Sequence, residues 1–397
     1  MSTSLPAAEP LVGAGTSANP FVAEASTDVE LFLARCARLV DDATLPFHTP
    51  NWLRAWYATF GQAEGRTPVL VAVQRRGSTA DVALLPLVAR REHGISVVEF
   101  ADGGVVDYIA LMLVPHWHGG LPLQQAAQAL WQALRGALQG HDLLRVHKML
   151  ARSLEEQGGQ ANPLALALRT QPCEMFGNQF SVPRGSDWEA WRRSLDKRVR
   201  KEIERCWRVF QRSPDARFER VTDPAQALAL FEMLEQQQSR RMRSLQPHYL
   251  LDAPECRAFY RQAIAGGVAS GEVVLTALRD GDQVVSALFG LANGHRYIGL
   301  RQSLGGDAWK ACSPARLLDE QTARDMHAQG RQHFDFGIGD YHHKQALQMS
   351  GIPLLDACQA LSPRGVPVAL AWRARRTLKR QTWLVAAKRR LGGNTGH

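Results

Sequence analysis

Several side chains that can move protons or hold an anion follow one strand-like segment late in the chain. Asp340, His343 and Lys344 come directly after residues 334–339, which read Phe-Asp-Phe-Gly-Ile-Gly. A carboxylate just past a strand can serve as a general base, and a histidine can carry a proton near neutral pH. A lysine can hold an anionic group or a developing oxyanion. Since carboxylate–lysine neighbours are often only surface pairs, a structural ion pair between Asp340 and Lys344 is the alternative interpretation.

The start of a predicted helix offers a second site, which is suited to an anion. Ser313 fits the N-cap, Pro314 the first helical position and Gly330 the C-terminal stop. The first turn has no acidic side chain, so its free amides and the positive end of the helix dipole are not neutralised. This arrangement favours a phosphate or pyrophosphate, and a helix start capped by its own serine is the alternative. The candidate residues are Lys310, Ser313, Ala315, Arg316 and Leu317.

Three predicted strands lead into this helix and must position both groups of residues. Asp280-Gly281 and Asn293-Gly294 separate them, and such pairs favour tight hairpin turns because Asp, Asn and Gly tolerate positive φ. The segments themselves are rich in Val, Leu and Ala. The strands are predicted at residues 272–279, 284–291 and 295–302. The predicted order is therefore a meander, a loop, a helix and a final strand.

This order of elements and its motifs resemble the GNAT acyltransferases. The resemblance rests on the meander, on the Ser313-Pro314 helix start, and on Phe-Asp-Phe-Gly-x-Gly-Asp at 334–340 followed by Lys344. The branch that it resembles most is the CelD/BcsL-type group, which is linked to cellulose and exopolysaccharide synthesis and is related to the Fem-type peptidoglycan transferases. Similarity of lower specificity covers residues 45–350.

That family binds the pyrophosphate of an acyl-coenzyme A at this helix start. The resemblance therefore implies acetyl-CoA or another acyl-CoA as co-substrate, without a metal. It implies N- or O-acyl transfer to a sugar, a polysaccharide precursor or a related cell-envelope metabolite. It also gives Asp107 a role in holding the acceptor. Two positions depart from the pattern, since Ala315 replaces the usual glycine after Ser-Pro and His343 replaces the usual tyrosine before the lysine.

Acyl transfer from a thioester needs a base for the acceptor, an acid for the thiolate leaving group and a donor for the oxyanion. Asp340 is the predicted base because it lies past the strand. His343 is the predicted proton carrier, and Lys344 is predicted to hold the oxyanion or an anionic substrate group. Asp335 lies inside the strand, where we expect it to cap backbone amides.

The first half of the chain repeats the same order of elements. A helix is predicted at residues 47–60, where Trp52, Trp56 and Phe60 have helical spacing and are expected to pack in the core. The predicted fold class is therefore α+β, with tandem GNAT-like domains that each contain a mostly antiparallel sheet flanked by helices. The predicted boundaries are 1–25 for a disordered N-terminal tail, 26–185 and 186–362 for the two domains, and 363–397 for a basic C-terminal tail.

Between the two halves, residues 188–212 are predicted to form one amphipathic helix with a basic face. A solvated basic face is the ordinary interpretation, and contact with CoA phosphates, an anionic glycan or RNA is the functional one. An aminoacyl-tRNA-dependent Fem-like transferase is therefore a second hypothesis for the function. A third hypothesis is a non-catalytic accessory protein of a polysaccharide synthase.

The net charge of +9 resides entirely in the C-terminal tail. Residues 357–397 contain nine basic and no acidic side chains, which leaves 38 of each sign in the rest of the chain. A body without net charge argues against nucleic acid as a partner. The tail has interleaved tryptophans and predicts peripheral contact with a membrane. A small-molecule or glycan acceptor is the other expected partner.

Cysteine usage and hydropathy predict a cytoplasmic protein. The six cysteines are scattered without a C-x-x-C pair, which fits a reducing compartment and argues against a structural zinc site. No apolar run approaches the length that spans a bilayer, and the N-terminus lacks the basic and apolar regions of a signal peptide. The predicted location is the cytoplasm, with the tail at the inner membrane surface.

Overall fold

The computed structural model describes residues 18–42, 44–154, 159–243, 250–339, 347 and 349–392, and side chains as far as Leu378 in the last helix. The strands are β1 (Phe21–Ser26), β2 (Arg66–Arg75), β3 (Asp81–Glu92), β4 (Ile95–Phe100), β5 (Met112–Leu113), β6 (Leu143–Leu150), β7 (Thr170–Ser181), β8 (Ala216–Val221), β9 (Val273–Asp280), β10 (Gln283–Asn293), β11 (Arg296–Gln302), β12 (His333–Ile338) and β13 (Ser350–Ala360). The helices are α1 (Val29–Leu39), α2 (Pro50–Thr59), α3 (Leu123–Ala137), α4 (Pro163–Ala167), α5 (Trp188–Ser194), α6 (Lys197–Phe210), α7 (Pro224–Arg243), α8 (Pro254–Gly267), α9 (Pro314–Ala328) and α10 (Gly365–Gly392).

All the strands belong to one mixed sheet that runs through both halves. Its order is β1-β2-β3-β4-β6-β13-β7-β12-β11-β10-β9-β8, and β5 pairs with β3. The pairs β4–β6 and β11–β12 are parallel, and the other named pairs are antiparallel. Each parallel pair is joined through one helix, α3 in the first half and α9 in the second. The prediction of an α+β fold with two mostly antiparallel units is confirmed.

Two strands, β7 and β13, join the halves, because each pairs with a strand of the other predicted domain. β7 belongs to the predicted first domain, yet it pairs with β12 of the second. β13 belongs to the predicted second domain, yet it lies between β6 and β7 and pairs with both. Because sheet edges leave backbone groups unpaired, this exchange satisfies the facing edges of both units and makes the sheet continuous.

The structure corrects two expectations about local structure. The predicted disordered tail extended to residue 25, but Phe21–Ser26 pairs with β2 along its whole length, and the Phe21 side chain is buried beside Trp117. The single helix predicted at 188–212 is broken into α5 and α6. Leu195 is extended, and Asp196 caps α6 by accepting from the Arg198 amide at 2.7 Å. A short acidic side chain at this position favours a new helix start over continuation.

Helices cover both faces of the second half of the sheet. α5, α6 and α9 share one hydrophobic cluster with Tyr297 and Phe334, and α7 and α8 share another with Ile298. The second cluster continues into the first half, where Trp52 packs edge-on against Phe259 at a centroid distance of 4.6 Å. The expected aromatic stripe is therefore core. Among the described residues, none of the helices is long and apolar enough to cross a membrane.

Candidate functional site

The candidate site begins where the parallel strands β11 and β12 separate. Their register ends with the pair Ile298–Asp335. Beyond it, β12 pairs with β7 on its other side, and β11 continues against β10. The pairing of the two strands therefore ends before their carboxyl ends, and we call the place beyond the last pair the gap. Such openings in sheets that contain parallel strands are common places for ligands.

A β-bulge lies in β11 at the mouth of this gap. Gly290 pairs with Gly299 and Phe289 pairs with Arg301, so Leu300 is left over between the two pairs. A bulge bends its strand and turns the following side chains toward the other face of the sheet. Here it turns the buried Arg301 toward α7 and α8, where its guanidinium lies 4.7 Å from the ring centroid of Tyr260.

The predicted helix start is present, but Ser313 does not cap it in the expected way. Ser313 occupies the N-cap position of α9 with φ 47° and ψ 60°, and its side chain makes no capping hydrogen bond. Its hydroxyl interacts instead with the Cys206 thiol on α6 and opposes the rise in the pKa of that thiol that burial causes. The left-handed backbone turns the hydroxyl away from the helix amides. The N–H groups of Ala315 and Arg316 are therefore not capped by this serine.

α6 brings charged side chains to this helix start. Arg205 donates to the Ala311 carbonyl at 3.1 Å and forms two hydrogen bonds with Glu202, at 2.7 and 2.8 Å. The Arg205 hydrogen bond is the main reason that the pKa of Glu202 falls to about 2, and Arg316 contributes to the same shift. The buried Nε of Arg316 has no hydrogen-bond partner among the described residues. Lys310 forms an exposed pair with Asp307 at 2.8 Å.

The start of α9 and the end of β11 are joined through one side chain. Gln302 Nε2 donates to the Ala315 carbonyl and to Asp319 Oδ1, both at 2.9 Å. Arg301, one residue earlier, donates to Gln238 at 2.9 Å and pairs with the buried Glu235 at 3.4 Å. Sequence reasoning missed this network. Its signal was the presence of Glu235 and Gln238 among the apolar positions of α7.

Two residues of the first half contact β12 beside the gap. The Tyr108 hydroxyl donates to Asp335 Oδ1 at 2.9 Å, and the amide of Ile338 donates to Asp107 Oδ2 at 3.2 Å. Asp107, predicted to hold the acceptor, therefore lies against the backbone of β12. Tyr108 is fully buried, so the contact fixes the loop that precedes β5 to the second half.

Asp335 caps a backbone amide, as the sequence predicted. Its Oδ1 accepts from the Gly337 amide at 2.7 Å, and the carboxyl is fully buried. Burial raises its pKa to about 7, while the nearby Arg296 guanidinium opposes the rise. The buried Oδ2 has no hydrogen-bond partner in the described part of the chain. A carboxyl in this environment titrates near neutral pH.

The structure brings together the residues predicted to bind the donor but does not describe most of the predicted catalytic group. Ser313, Ala315, Arg316 and Leu317 share the first turn of α9, and Lys310 lies in the 3-10 helix before it. Asp340, His343 and Lys344 lie outside the described residues. They follow Gly339, whose carbonyl accepts from Asn178 at 2.8 Å beside the gap. Within the described ranges, no group of three or more His, Cys, Asp or Glu residues could hold a metal ion.

Residues 197–345 match the family model described as acetyltransferase (GNAT) domain. The chain contains a GNAT-type domain. The matched segment begins at α6 and includes the bulge, the gap and the start of α9, so the family match and the candidate site coincide. No curated protein sequence matches the chain.

Solved structures show the same fold over most of the chain. FemX superimposes with a TM-score of 0.53 at 9% sequence identity, covering 83% of this chain and 95% of its own. The C-terminal domain of a proposed lysylphosphatidylglycerol synthetase from Agrobacterium fabrum superimposes with a TM-score of 0.51 at 12% identity, covering 88% and 98%. At these identities the likeness concerns the fold alone. Since it covers 83% and 88% of this chain, the likeness extends over both halves of the sheet.

Proposed function

We propose that the protein is an acyl-CoA-dependent N- or O-acyltransferase. The observation that carries the proposal is the start of α9. Ser313 makes no side-chain cap there, and the first turn has no acidic residue. The buried Nε of Arg316 has no hydrogen-bond partner among the described residues. A helix start of this kind suits the pyrophosphate of coenzyme A. The carboxylates nearby have partners of their own. Glu202 forms two hydrogen bonds with Arg205, Asp319 accepts from Gln302, and Asp307 pairs with Lys310.

The gap between β11 and β12 would receive the acyl-pantetheine arm. An acceptor nitrogen or oxygen attacks the thioester carbonyl, the carbon–sulfur bond breaks, and the sulfur leaves as a thiolate that takes a proton. Backbone N–H groups next to a bulge are available to stabilise the oxyanion, because the bulge interrupts regular pairing. Asp340 remains the proposed base, with His343 and Lys344 as proposed proton carrier and anion holder.

The acceptor class is proposed from the sequence resemblance. A sugar, a polysaccharide precursor or another cell-envelope metabolite carries the hydroxyl or amine that this reaction consumes. Asp107 lies at the gap with a carboxylate that could accept a hydrogen bond from such a group. This role supplements its present contact with the Ile338 amide.

Calorimetric titration with acetyl-CoA tests the proposal most directly. Ala315→Leu places a bulky side chain beside the proposed pyrophosphate position and should weaken binding about tenfold or more, because the backbone can no longer approach the phosphates closely. Gln125→Leu is the matched control, since it adds the same side chain to an exposed position in the first turn of α3. Unchanged affinity in Ala315→Leu would place the donor elsewhere.

The same titration separates the two other hypotheses. The aminoacyl-tRNA hypothesis has one supporting observation, the packing of the basic helix α6 against the start of α9. It expects binding of aminoacyl-tRNA and none of acetyl-CoA. A non-catalytic accessory protein would bind neither, and that result would overturn the proposed activity.

A further inference from the structure

The last helix, α10, presents two different faces. Its inner face packs on β13 through the buried Ala369, and Trp372 lies on the same side, 6.4 Å from the His147 ring. Arg373 donates to the Cys358 carbonyl at 2.9 Å, and Arg376 pairs with the buried Asp356. Part of the basic charge and the first tryptophan of the tail therefore hold the helix to the sheet. From the sequence, we had expected both to contact a membrane.

The outer face of α10 is apolar and open. Val366, Leu370 and Leu378 are 44%, 56% and 62% exposed, and the intervals of four and eight residues put them on one side of the helix. Ala374 is also exposed and lies between Leu370 and Leu378. Exposed apolar patches of this kind mark contact sites.

The charge around the stripe limits the kind of surface that can cover it. Arg364 and Arg375 are exposed beside it, and no acidic residue follows Asp356. Five further basic residues occur after Leu378. A covering surface must therefore accept apolar side chains and also supply negative charge. The phosphates of RNA meet only the second requirement, and a second copy of this basic helix meets only the first.

We propose that α10 docks the protein on an anionic lipid surface, with Val366, Leu370 and Leu378 inserted between the headgroups. An amphipathic helix that lies in the interface buries its apolar side in lipid and keeps basic side chains at the phosphates. Its inner contacts with β13 would hold the body of the protein at a fixed orientation to the membrane. This inference does not depend on the proposed acyl transfer.

Co-sedimentation with vesicles tests the docking. The full-length protein should sediment at low salt with phosphatidylcholine vesicles that contain phosphatidylglycerol, and should remain in the supernatant with phosphatidylcholine alone. The double variant Leu370→Glu/Leu378→Glu should lose about tenfold or more of the partition coefficient, because two charges enter the apolar stripe. Leu31→Glu is the matched control, since Leu31 is 53% exposed on α1 in the other half and its replacement should change nothing.

Three outcomes would overturn the proposal. The first is a failure of the full-length protein to bind phosphatidylglycerol vesicles at low salt. The second is equal sedimentation of the double variant and the parent protein. The third is a parent protein that is dimeric in light scattering and becomes monomeric in the double variant without any vesicle binding, which would assign the stripe to contact between copies. Circular dichroism of the double variant shows that lost binding is not lost folding.

Discussion

The two halves of the molecule have the same order of strands and helices. They differ in the side chains that line the equivalent helix starts and strand ends. Strands β2, β3, β4, helix α3 and strand β6 in the first half correspond in order to β9, β10, β11, α9 and β12 in the second. Each half has one parallel pair that ends after three residue pairs. The backbone therefore offers a strand opening and a helix start twice.

The helix starts differ in charge and in their neighbours. α3 begins with Leu123 after Pro122, has no basic residue in its first turn, and has Gln124 hydrogen-bonded to the Leu166 carbonyl at the end of α4. α9 has Arg316 in its first turn and packs against the basic helix α6. An anion gains from the dipole at both starts, but it gains from full positive charge only at α9.

The strand openings differ as well. In the first half, the last pair is Glu99–Arg145, and Arg145 is also hydrogen-bonded to Glu92. The buried Lys148 pairs with Asp102 at 2.9 Å in the same region. Internal ion pairs thus line the opening of the first half, where a cavity of about 280 Å³ lies beside Glu99 and Arg145. Equivalent topology does not give equivalent chemistry, because the lining side chains decide whether a phosphate is attracted.

The largest expected effect reverses the charge at the second helix start. Arg316→Glu should weaken acetyl-CoA binding by about thirtyfold to a hundredfold, equivalent to about 2–3 kcal/mol for a lost charge-assisted contact and a new repulsion. Isothermal calorimetry measures the effect. Arg324→Glu on the same helix is the control. Arg324 pairs with Glu189 about two turns along α9 from Arg316, and the variant should bind normally. Equal weakening by both variants would show that acetyl-CoA affinity depends on the overall charge of the protein and not on the position of Arg316.

A second prediction contrasts one carboxylate from each half. Asp340→Asn should lower turnover about tenfold, a loss of about 1.4 kcal/mol of transition-state stabilisation, with little change in melting temperature. Asp102→Asn should instead lower the melting temperature and leave turnover per folded molecule unchanged, because it removes the partner of the buried Lys148. If Asp102→Asn lowered turnover and Asp340→Asn lowered only the melting temperature, the reaction would have to take place in the first half.

A third prediction concerns pH and the carboxyl at the junction of the halves. Burial raises the pKa of Asp335 from 3.8 to about 7, so the folded protein binds more protons than the unfolded chain between these values. Its contribution to stability is present below pH 3.8 and is lost as the pH rises through about 7, with a slope of at most about 1.4 kcal/mol per pH unit.

Asp335→Asn should remove that slope, since asparagine does not titrate and can still accept from Tyr108. Urea unfolding at a series of pH values from about 4 to about 8 compares the variant with the parent protein. Asp282→Asn, at an exposed turn, is the control and should retain the parent slope. If the free energy of unfolding of Asp335→Asn and of the parent protein changed with pH in parallel, this carboxyl would not be the source of the pH dependence.

The smallest expected effect separates stability from positioning. Gln302→Leu removes the two hydrogen bonds that join β11 to Ala315 and Asp319 in the first two turns of α9. The loss should cost about 1 kcal/mol of stability and a few-fold in acetyl-CoA affinity. Gln329→Leu removes hydrogen bonds to Asp325 near the other end of α9 and should affect stability alone. Denaturation measures the stability of both variants, and calorimetry measures their affinity for acetyl-CoA. Equal affinities of the two variants would show that Gln302 does not position the site.

Local patterns in the sequence were enough to predict the repeated elements and the helix start at Pro314. The turn pairs at 280–281 and 293–294 separate β9, β10 and β11 as predicted, and Pro314 begins α9. Such signals depend on neighbouring residues, because positive φ, a missing N–H or an apolar period is a property of a few adjacent positions. The sequence therefore determined the order of elements and the acid-free start of α9.

Contacts between distant segments were decided only by the tertiary structure. The place of β13 between β6 and β7, the hydrogen bond from Tyr108 to Asp335 and the pairing of Arg301 with Glu235 each join residues far apart in the chain. Periodicity predicts that α10 has two distinct faces. It does not predict which face packs on the sheet, since both faces contain apolar and basic residues. Packing against β13 made that choice, because Arg376 could reach the buried Asp356 only from the inner face.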